Sequence, residues 1–363
     1  MVVRGVPARW RRCVRVSLLA IVVAFVFGTR ESQAAESSPI GVHSMVYLTD
    51  LFGAKLAMFR EAAAVGASTI RVDVELSAIF PAPPAAPDWS GVDQYMSLAR
   101  TYHLHVLADV LATPWYLADC PAGTPFASTH MCPPVDDRAW GRDAGAVAAH
   151  TRGVIDDFEI INEPDGGWSF RATAQQYAGI LAASYDAIHA ADPRARVALG
   201  GLENVGSYGV TWLNEVFATP GFDALHKFDI ANIHVRVPAS GAGPTVVRWR
   251  RYFSSYGFRG PMWVTETGYP ADPAYQTDPG YRNGASSQAE WMSRVMPAML
   301  RSGAAMVFVT ERDSMTGRFA SEGILQSADP LTAHPQYKLR PSFYAMKALA
   351  RRLTHRRRRT HHR

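Results

Sequence analysis

The chain has 363 residues, 48% of them hydrophobic and 19% charged, so it is long enough and apolar enough to fold around a substantial core. Its net charge of +5 is concentrated at the two ends, because 13 of the 37 lysines and arginines lie in residues 1–34 and 351–363. The 24 basic and 31 acidic residues between those segments give the body a charge of −7, which disfavours binding to nucleic acid.

Residues 1–34 have the pattern of an export signal. Five arginines precede an apolar stretch at 16–27, and the small-x-small sequence Ser-Gln-Ala at 32–34 is typical of a cleavage site. The apolar stretch is shorter than the about 20 residues that cross a bilayer as a helix. We therefore predict a secreted or extracytoplasmic protein that begins near Ala35, with an uncleaved N-terminal anchor as the alternative.

Strand-like and helix-like segments alternate from residue 39 onward without a linker or a repeat. The predicted strands are 40–45, 69–75, 105–111, 158–162, 196–201, 228–235, 262–266 and 305–310. The predicted helices are 53–65, 92–102, 139–151, 173–190, 210–218, 245–256, 288–301 and 342–353. Nearly continuous apolar strands, each followed by a helix, are typical of a parallel sheet that helices cover.

This alternation predicts an α/β protein with a single (β/α)8 TIM barrel over residues 35–350. A plain barrel takes roughly 250 residues, so the segment is long enough to carry loop insertions. An open doubly wound sheet is the alternative, but it would need a glycine-rich turn after its first strand, and residues 45–50 contain no glycine.

Two cysteines remain once the predicted signal is removed, Cys120 and Cys132, and both lie in a proline-rich segment. An even number of cysteines in an exported protein favours a disulfide, with two free thiols as the alternative. A structural zinc site is less favoured, because two cysteines without a histidine cluster supply too few ligands.

Residues 351–363 contain seven arginines and no acidic residue. A run of like charges is usually a solvated, disordered terminus, and that is the prediction for this tail. Electrostatic contact of the tail with an anionic cell envelope is a further possibility.

Two glutamates interrupt apolar strand patterns in the same way. Glu163 follows the run at 158–162 and precedes a proline, and Glu266 ends the run at 262–266 before a turn sequence. In a barrel these positions are the carboxyl ends of the fourth and seventh strands, where barrel enzymes build their sites. Two facing carboxylates suit cleavage of a glycosidic bond, in which one protonates the leaving oxygen and the other attacks the anomeric carbon or activates water.

The sequence Asn-Glu-Pro at 162–164 resembles the signature of the large clan of retaining glycoside hydrolases with (β/α)8 barrels. The resemblance implies that Glu163 is the acid/base and that Asn162 binds the sugar 2-hydroxyl. Glu266 matches the glutamate that ends the seventh strand in this clan and is the implied nucleophile. Arg71 matches the arginine that ends the second strand and helps to keep the nucleophile ionised.

Within the clan, the sequence is most similar to the β-xylosidase and α-iduronidase family, glycoside hydrolase family 39, with the cellulase-like family 5 next. The segment 111–115 resembles the Thr-Pro-x-Trp turn after the third strand, and 340–345 resembles the entry to the last helix. His234 matches the histidine that ends the sixth strand. The resemblance implies an oligosaccharide or polysaccharide substrate and no cofactor.

The sequence also departs from this family at the site. Ile160 and Ile161 lie where the family usually has a tryptophan, and Arg236 replaces the tyrosine that contacts the nucleophile. Glu311 stands near the place of the tryptophan beneath the sugar. We expect His234 and Glu311 to bind substrate, and we expect the departures to determine which sugar is cleaved.

Three aromatic residues follow strand ends, namely Trp115, Trp168 and Tyr269. Sugars stack their apolar faces on such rings, so we predict that these residues bind substrate, with loop packing as the alternative for each.

Two other functions compete with hydrolysis by paired carboxylates. His103 and His105 are spaced like metal ligands, but they enter the third strand from its amino end, far from the predicted site, so we predict no metal. A barrel that only binds extracellular polysaccharide is the second alternative. The presence of both glutamates favours the enzyme, because a binding module needs no matched pair.

Overall fold

The computed structural model describes residues 38–314, 317–327 and 335–361, with side chains as far as His355. The predicted export signal lies outside this part of the chain. Among the described residues, no helix combines the length and the apolar character needed to cross a membrane.

Eight parallel strands form the centre of the fold. They are Ile40–His43 (β1), Thr69–Glu75 (β2), His105–Leu111 (β3), Asp157–Ile160 (β4), Arg196–Ala198 (β5), Ala231–His234 (β6), Met262–Thr267 (β7) and Met306–Thr310 (β8). Hydrogen bonds join them in the order β5-β4-β3-β2-β1-β8-β7-β6, and two parallel bridges, Ala198 to Ile230 and Leu202 to Ile233, connect the two edges. The sheet is a nearly closed barrel, and the predicted single (β/α)8 TIM barrel is confirmed.

Helices surround this barrel. They are Phe52–Val65 (α1), the single turn Leu76–Ile79 (α2), Ser90–Tyr102 (α3), Asp137–Thr151 (α4), Ala174–Ala191 (α5), Ser207–Ala218 (α6), Ala239–Ser255 (α7), Gly284–Arg301 (α8) and Pro341–His361 (α9). An antiparallel pair, Leu325–Ser327 (β9) and Tyr337–Leu339 (β10), lies between β8 and α9 and was not predicted. Within the described ranges, short 3-10 helices occupy Phe126–Met131, Ala224–His226, Pro273–Tyr275 and Gly317–Ser321.

The two faces of strand β2 contact different parts of the protein, one the apolar core and the other the barrel interior. Val72 and Val74 are fully buried in the main apolar core, which also includes the helix residue Phe59. Because side chains alternate along a strand, Arg71 and Asp73 take the opposite face, toward the barrel interior. Polar groups therefore reach the middle of the protein without disturbing the packing between barrel and helices.

A small apolar cluster fills part of the barrel interior. It consists of Leu107, Ala198, Ile230, Trp263 and Phe308. Arg196, the first residue of β5, lies over the Trp263 ring at 5.3 Å, which puts this cluster toward the amino ends of the strands. The apolar cluster consequently lies on the side of the interior away from the carboxyl ends of the strands.

The ends of several strands and helices differ from the predicted ones. The predicted strand 158–162 ends at Ile160, and the predicted strand 228–235 narrows to 231–234. The tail was predicted to be disordered from Arg351, but α9 continues through it to His361. Arginine is a good helix former and the tail contains neither glycine nor proline, so nothing in its sequence stops the helix.

The predicted disulfide between Cys120 and Cys132 is confirmed, with the two Cα atoms 5.4 Å apart. It closes the loop that leads from β3 to α4. This loop also carries Trp115, so the bridge restrains one wall of the barrel mouth.

Candidate active site

The two predicted glutamates meet at the carboxyl end of the barrel. Glu266 lies within β7, and Glu163 lies three residues beyond the end of β4; each is only 4% exposed. One carboxylate oxygen of each glutamate and one ring nitrogen of His234 all lie within 4.8 Å of one another. The structure therefore brings together the two carboxylates that the sequence predicts as a pair.

An unusual backbone places Glu163. Both Ile161 and Glu163 have left-handed φ angles, 68° and 45°, which side chains other than glycine adopt at a cost. Just after the neighbouring strand β5, Gly200 and Gly201 leave room for this turn and for the site. A Cβ at Gly200 would overlap the carbonyl of Ile161, and one at Gly201 would overlap the ring of His234.

His234 and Glu163 share one proton. The Thr265 hydroxyl donates to Asn232 Oδ1 at 2.9 Å, so it can only accept from His234 Nε2, which lies 3.2 Å away and must carry a hydrogen. His234 Nδ1 lies 2.7 Å from Glu163 Oε1, a contact that needs one proton between the two atoms. That proton belongs either to a protonated Glu163 or to a cationic His234.

Arg71 connects Glu266 to the interior of the barrel. Its Nη1 donates to Glu266 Oε1 at 3.0 Å, and its Nε donates to Glu159 Oε2 at 2.7 Å. Its Nη2 donates at 2.9 Å to Asp109 Oδ2 and at 2.9 Å to Asn162 Oδ1. The predicted contact between Arg71 and Glu266 is present, and the same guanidinium orients the Asn162 amide.

A second guanidinium, from Arg236, reaches the other oxygen of Glu266. Its Nη2 donates to Glu266 Oε2 at 2.7 Å, and its Nη1 lies 3.8 Å from Glu163 Oε1. The sequence placed Arg236 near this end of the barrel but gave it no function. It adds a full positive charge close to both glutamates.

These charges set the ionisation of Glu266. Burial alone would raise the pKa of its carboxyl, but electrostatic interactions, with His234 the largest and Arg236 and Arg71 also contributing, hold that pKa well below its usual range. His43 Nδ1 lies 3.3 Å from Glu266 Oε1, yet burial lowers the pKa of His43 to about 3. The histidine is thus neutral near pH 7, and the two arginines supply the lasting charge.

Two further carboxyls near Arg71 respond chiefly to burial. Burial raises the pKa of Asp109 well above its usual range, although Arg71 opposes the change. Burial also raises the pKa of Asp73 to about 7, against the opposing charge of Arg71. Asp109 and Glu159 were not predicted as site residues, although acidic residues inside apolar strands were a signal that could have indicated them.

Trp115 and Trp168, which are predicted to stack on sugar rings, lie at the barrel mouth and are more than half exposed. Trp115 lies 6.1 Å from the Phe126 ring, in the loop that the disulfide closes. Trp168 hydrogen-bonds to Glu203, whose pKa is raised by burial and by the nearby Glu163. Both rings remain available for a ligand.

The structure does not bring Tyr269 and Glu311 to the site. Tyr269 is 5% exposed, stacks on Trp291 at 5.3 Å and donates its hydroxyl to the Tyr281 carbonyl, so the loop-packing alternative holds for it. Glu311 is fully buried, and its electrostatic neighbours are Glu61 and Arg312 rather than the paired glutamates. Side-chain alternation explains the error, because the preceding residue, Thr310, takes the inward position at the end of β8.

Glu163, His234 and Glu266 are close enough to hold a metal ion. However, Arg71 and Arg236 already donate to the two oxygens of Glu266, so a divalent cation would have to displace both guanidiniums. The donor set therefore fits a metal poorly, in line with the prediction of none.

No protein-family model and no curated protein matches the sequence. Among solved structures, the chain is similar to a family 39 glycoside hydrolase from Bacteroides cellulosilyticus, with 18% identity and a TM-score of 0.64 over 87% of this chain and 64% of that one. A family 39 β-xylosidase from Caulobacter crescentus shows 19% identity and a TM-score of 0.59, covering 86% of this chain and 70% of that one.

A family 5 subfamily 18 protein from Streptomyces cattleya, solved with Manβ1-4GlcNAc, shows 17% identity and a TM-score of 0.62 over 87% of this chain and 81% of that one. This chain has the fold of the family 39 and family 5 glycoside hydrolases. It spans just under two thirds of the length of the Bacteroides cellulosilyticus protein. The resemblance inferred from the Asn-Glu-Pro signature is thus confirmed at the level of the fold.

Proposed function

We propose that this protein is a secreted retaining glycoside hydrolase that cleaves O-glycosidic bonds of an oligosaccharide or polysaccharide by double displacement. The supporting observation is the asymmetry of the paired glutamates. Two guanidiniums and a low pKa keep Glu266 ionised, as a nucleophile requires, whereas Glu163 shares a proton with His234, as an acid/base requires.

In the first step, a Glu266 oxygen attacks the anomeric carbon and forms a glycosyl ester. The glycosidic carbon–oxygen bond breaks, and its electron pair goes to the leaving oxygen, which takes a proton from Glu163. In the second step, Glu163 accepts a proton from water as the water oxygen attacks the anomeric carbon. The ester bond breaks with its electron pair returning to Glu266, and the sugar leaves with its configuration retained.

The spacing of the carboxylates supports retention over inversion. One oxygen of Glu163 lies within 4.8 Å of one oxygen of Glu266, a close approach that fits the short carboxyl separation, about 5–5.5 Å, of retaining enzymes. The Asn162 amide, fixed by Arg71, would bind a sugar hydroxyl next to the scissile bond, and Trp115 and Trp168 would stack on sugar rings.

Nucleophile and acid/base rescue tests these roles. We expect Glu266→Gly to abolish turnover of activated aryl glycosides, and azide to restore it with a glycosyl azide of inverted configuration. We expect Glu163→Ala to be slow, and azide to restore it with a product of retained configuration. If the wild-type chain binds oligosaccharides but cleaves nothing in a broad panel of aryl glycosides and polysaccharides, the non-catalytic binding barrel is correct instead.

The proposal also includes export of the chain and a role for its positively charged tail. Residues 1–34 would direct the chain across the membrane, and the arginines at 351–363 would contact an anionic envelope polymer. Amino-terminal sequencing of protein recovered from the medium should begin near Ala35.

A further inference from the structure

Arg236 connects Glu266 to another carboxylate, that of Glu322. Its Nη2 donates to Glu266 Oε2 at 2.7 Å, and its Nε donates to Glu322 Oε2 at 3.2 Å. The two carboxylates therefore divide the attraction of one guanidinium. If one of them loses its charge, Arg236 should move toward the other.

The Glu322 carboxylate is buried, and several hydrogen bonds fix its position. Its side chain is fully buried, its Oε1 accepts from Arg318 Nη2 at 3.1 Å, and its Oε2 accepts from the Thr310 hydroxyl at 3.3 Å. Its backbone carbonyl accepts from Gln288 Nε2 at 3.1 Å. Gly268, just after β7, makes room for it, because a Cβ there would overlap the Glu322 side chain.

An aromatic ring keeps Arg236 close to both carboxylates. Two guanidiniums pack on the Phe319 ring, that of Arg236 at 5.2 Å and that of Arg318 at 5.6 Å from the ring centre. Arg236 is 17% exposed in its side chain, so it reaches the cleft while most of its surface is covered. This cation–π packing and the pairing with Glu322 limit Arg236 to a small shift.

The proposed reaction removes and restores the charge of Glu266. While Glu266 is a carboxylate, Arg236 is paired on both sides; once Glu266 becomes a glycosyl ester, its attraction for Arg236 largely disappears. A buried guanidinium without a counter-charge is costly. At that stage Glu322 still accepts a hydrogen bond from Arg236 at 3.2 Å, whereas Glu163, which has given up its proton, lies farther away, 3.8 Å from Arg236 Nη1.

We propose that Glu322 is a positioning residue that holds Arg236 while Glu266 is esterified and weakens the grip of Arg236 on Glu266 before attack. This inference rests on the proposed hydrolase function. Glu322 acts only through Arg236, so its loss should change the balance between the two chemical steps and not the identity of the reacting groups.

The substitution Glu322→Gln tests this balance, because glutamine keeps the shape but removes the charge. Arg236 would then bind the Glu266 carboxylate more tightly. We expect glycosylation, in which that carboxylate must attack, to slow by about tenfold, equivalent to about 1.4 kcal/mol. We expect deglycosylation, in which the carboxylate must leave, to be unchanged or faster. The two rates are measured from the burst and steady phases with the dinitrophenyl glycoside that the wild-type chain cleaves fastest.

Two further variants make the test specific. Glu290→Gln breaks an exposed pair with Arg294 on α8, and we expect both rates to be unchanged. Arg318→Met removes a competing partner of Glu322, which should draw Arg236 away from Glu266 and slow deglycosylation relative to glycosylation. This second variant also serves if Glu322→Gln does not fold.

Equal slowing of both steps in Glu322→Gln, or an unchanged ratio of the two rates in both Glu322→Gln and Arg318→Met, would overturn the inference and leave the hydrolase function intact. A wild-type chain that forms no covalent adduct with any 2-deoxy-2-fluoro glycoside in the panel would refute the proposed function itself, and this inference with it.

Discussion

Arg71 and Arg236 both donate to Glu266, but they differ in their exposure and in their other partners. The Arg71 side chain has no exposed surface, and the partners of its guanidinium are Asp109, Glu159, Asn162 and Glu266, all at the carboxyl end of the barrel. Arg236 is partly exposed and divides its donors between Glu266 and the loop after β8. The comparison indicates that Arg71 holds Glu266 as part of the fold, whereas Arg236 mainly influences the ionisation of Glu266.

The largest expected effect comes from removing Arg71. Arg71→Met leaves the buried Glu159 without its cation, so we expect the free energy of unfolding to fall by about 3–5 kcal/mol, together with loss of turnover. Chemical denaturation followed by circular dichroism measures the change. Arg294→Met, which breaks an exposed pair, is the control and should cost less than about 1 kcal/mol. Equal stability of the two variants would show that Arg71 does not hold the fold.

Removing Arg236 should affect catalysis more than stability. We expect Arg236→Met to lower kcat/KM by about 100-fold, in the range seen when a buried donor to a reacting group is lost. Because Arg236 lowers the pKa of Glu266, its loss raises that pKa and moves the acidic limb of the kcat/KM profile to higher pH.

Tyrosine, which the sequence resemblance led us to expect here, provides a matched replacement at this position. Arg236→Tyr restores a neutral donor, so we expect it to recover part of the rate while keeping the shifted acidic limb. An acidic limb that stays at the wild-type pH in both variants would contradict a role for Arg236 in tuning Glu266.

A smaller effect is expected at Asp73, beside the Arg71 frame. Its pKa is about 7 in the folded chain and about 3.9 in the unfolded chain, so the unfolded state releases the proton first. Stability therefore declines as pH rises from about 4 to 7 and stays lower above that range. Asp73→Asn removes this decline. The loss in free energy of unfolding between pH 4.5 and pH 8 should therefore be smaller in the variant than in the wild-type chain, by on the order of 2–3 kcal/mol.

Denaturation of the Asp73→Asn variant and the wild-type chain at the two pH values checks this effect. The exposed Asp119→Asn serves as a control and should follow the wild-type pH dependence. An Asp73→Asn variant that declines as steeply as the wild-type chain would mean that the charge of Arg71, and not burial, dominates the pKa of Asp73.

Much of this architecture could be predicted from local sequence. Apolar runs followed by helical patterns identified every barrel strand, and the glutamates that end two of them identified the mouth. The contact between Arg71 and Glu266 also followed, since it depends on the resemblance of short motifs. These features share a property: each is encoded within a few residues of the chain.

The remaining features depend on contacts between distant segments. Arg236 and Glu322 are 86 residues apart, and their pairing depends on how the loop after β8 folds over the barrel. Glu311 was misassigned because a shift of one residue at the end of a strand turns a side chain to the opposite face. Tyr269 was misassigned because its ring stacks on Trp291 of α8. The sequence around Tyr269 does not reveal this contact.

The left-handed turn at the end of β4 has a consequence for how the protein fails when heated. Ile161 is a β-branched residue at φ 68°, a conformation that costs about 1–2 kcal/mol and persists only while the surrounding strands enforce it. A modest loosening of β4 against Gly200 would release this turn before the barrel itself unfolds. Glu163 would then move away from His234, so inactivation should precede the loss of secondary structure.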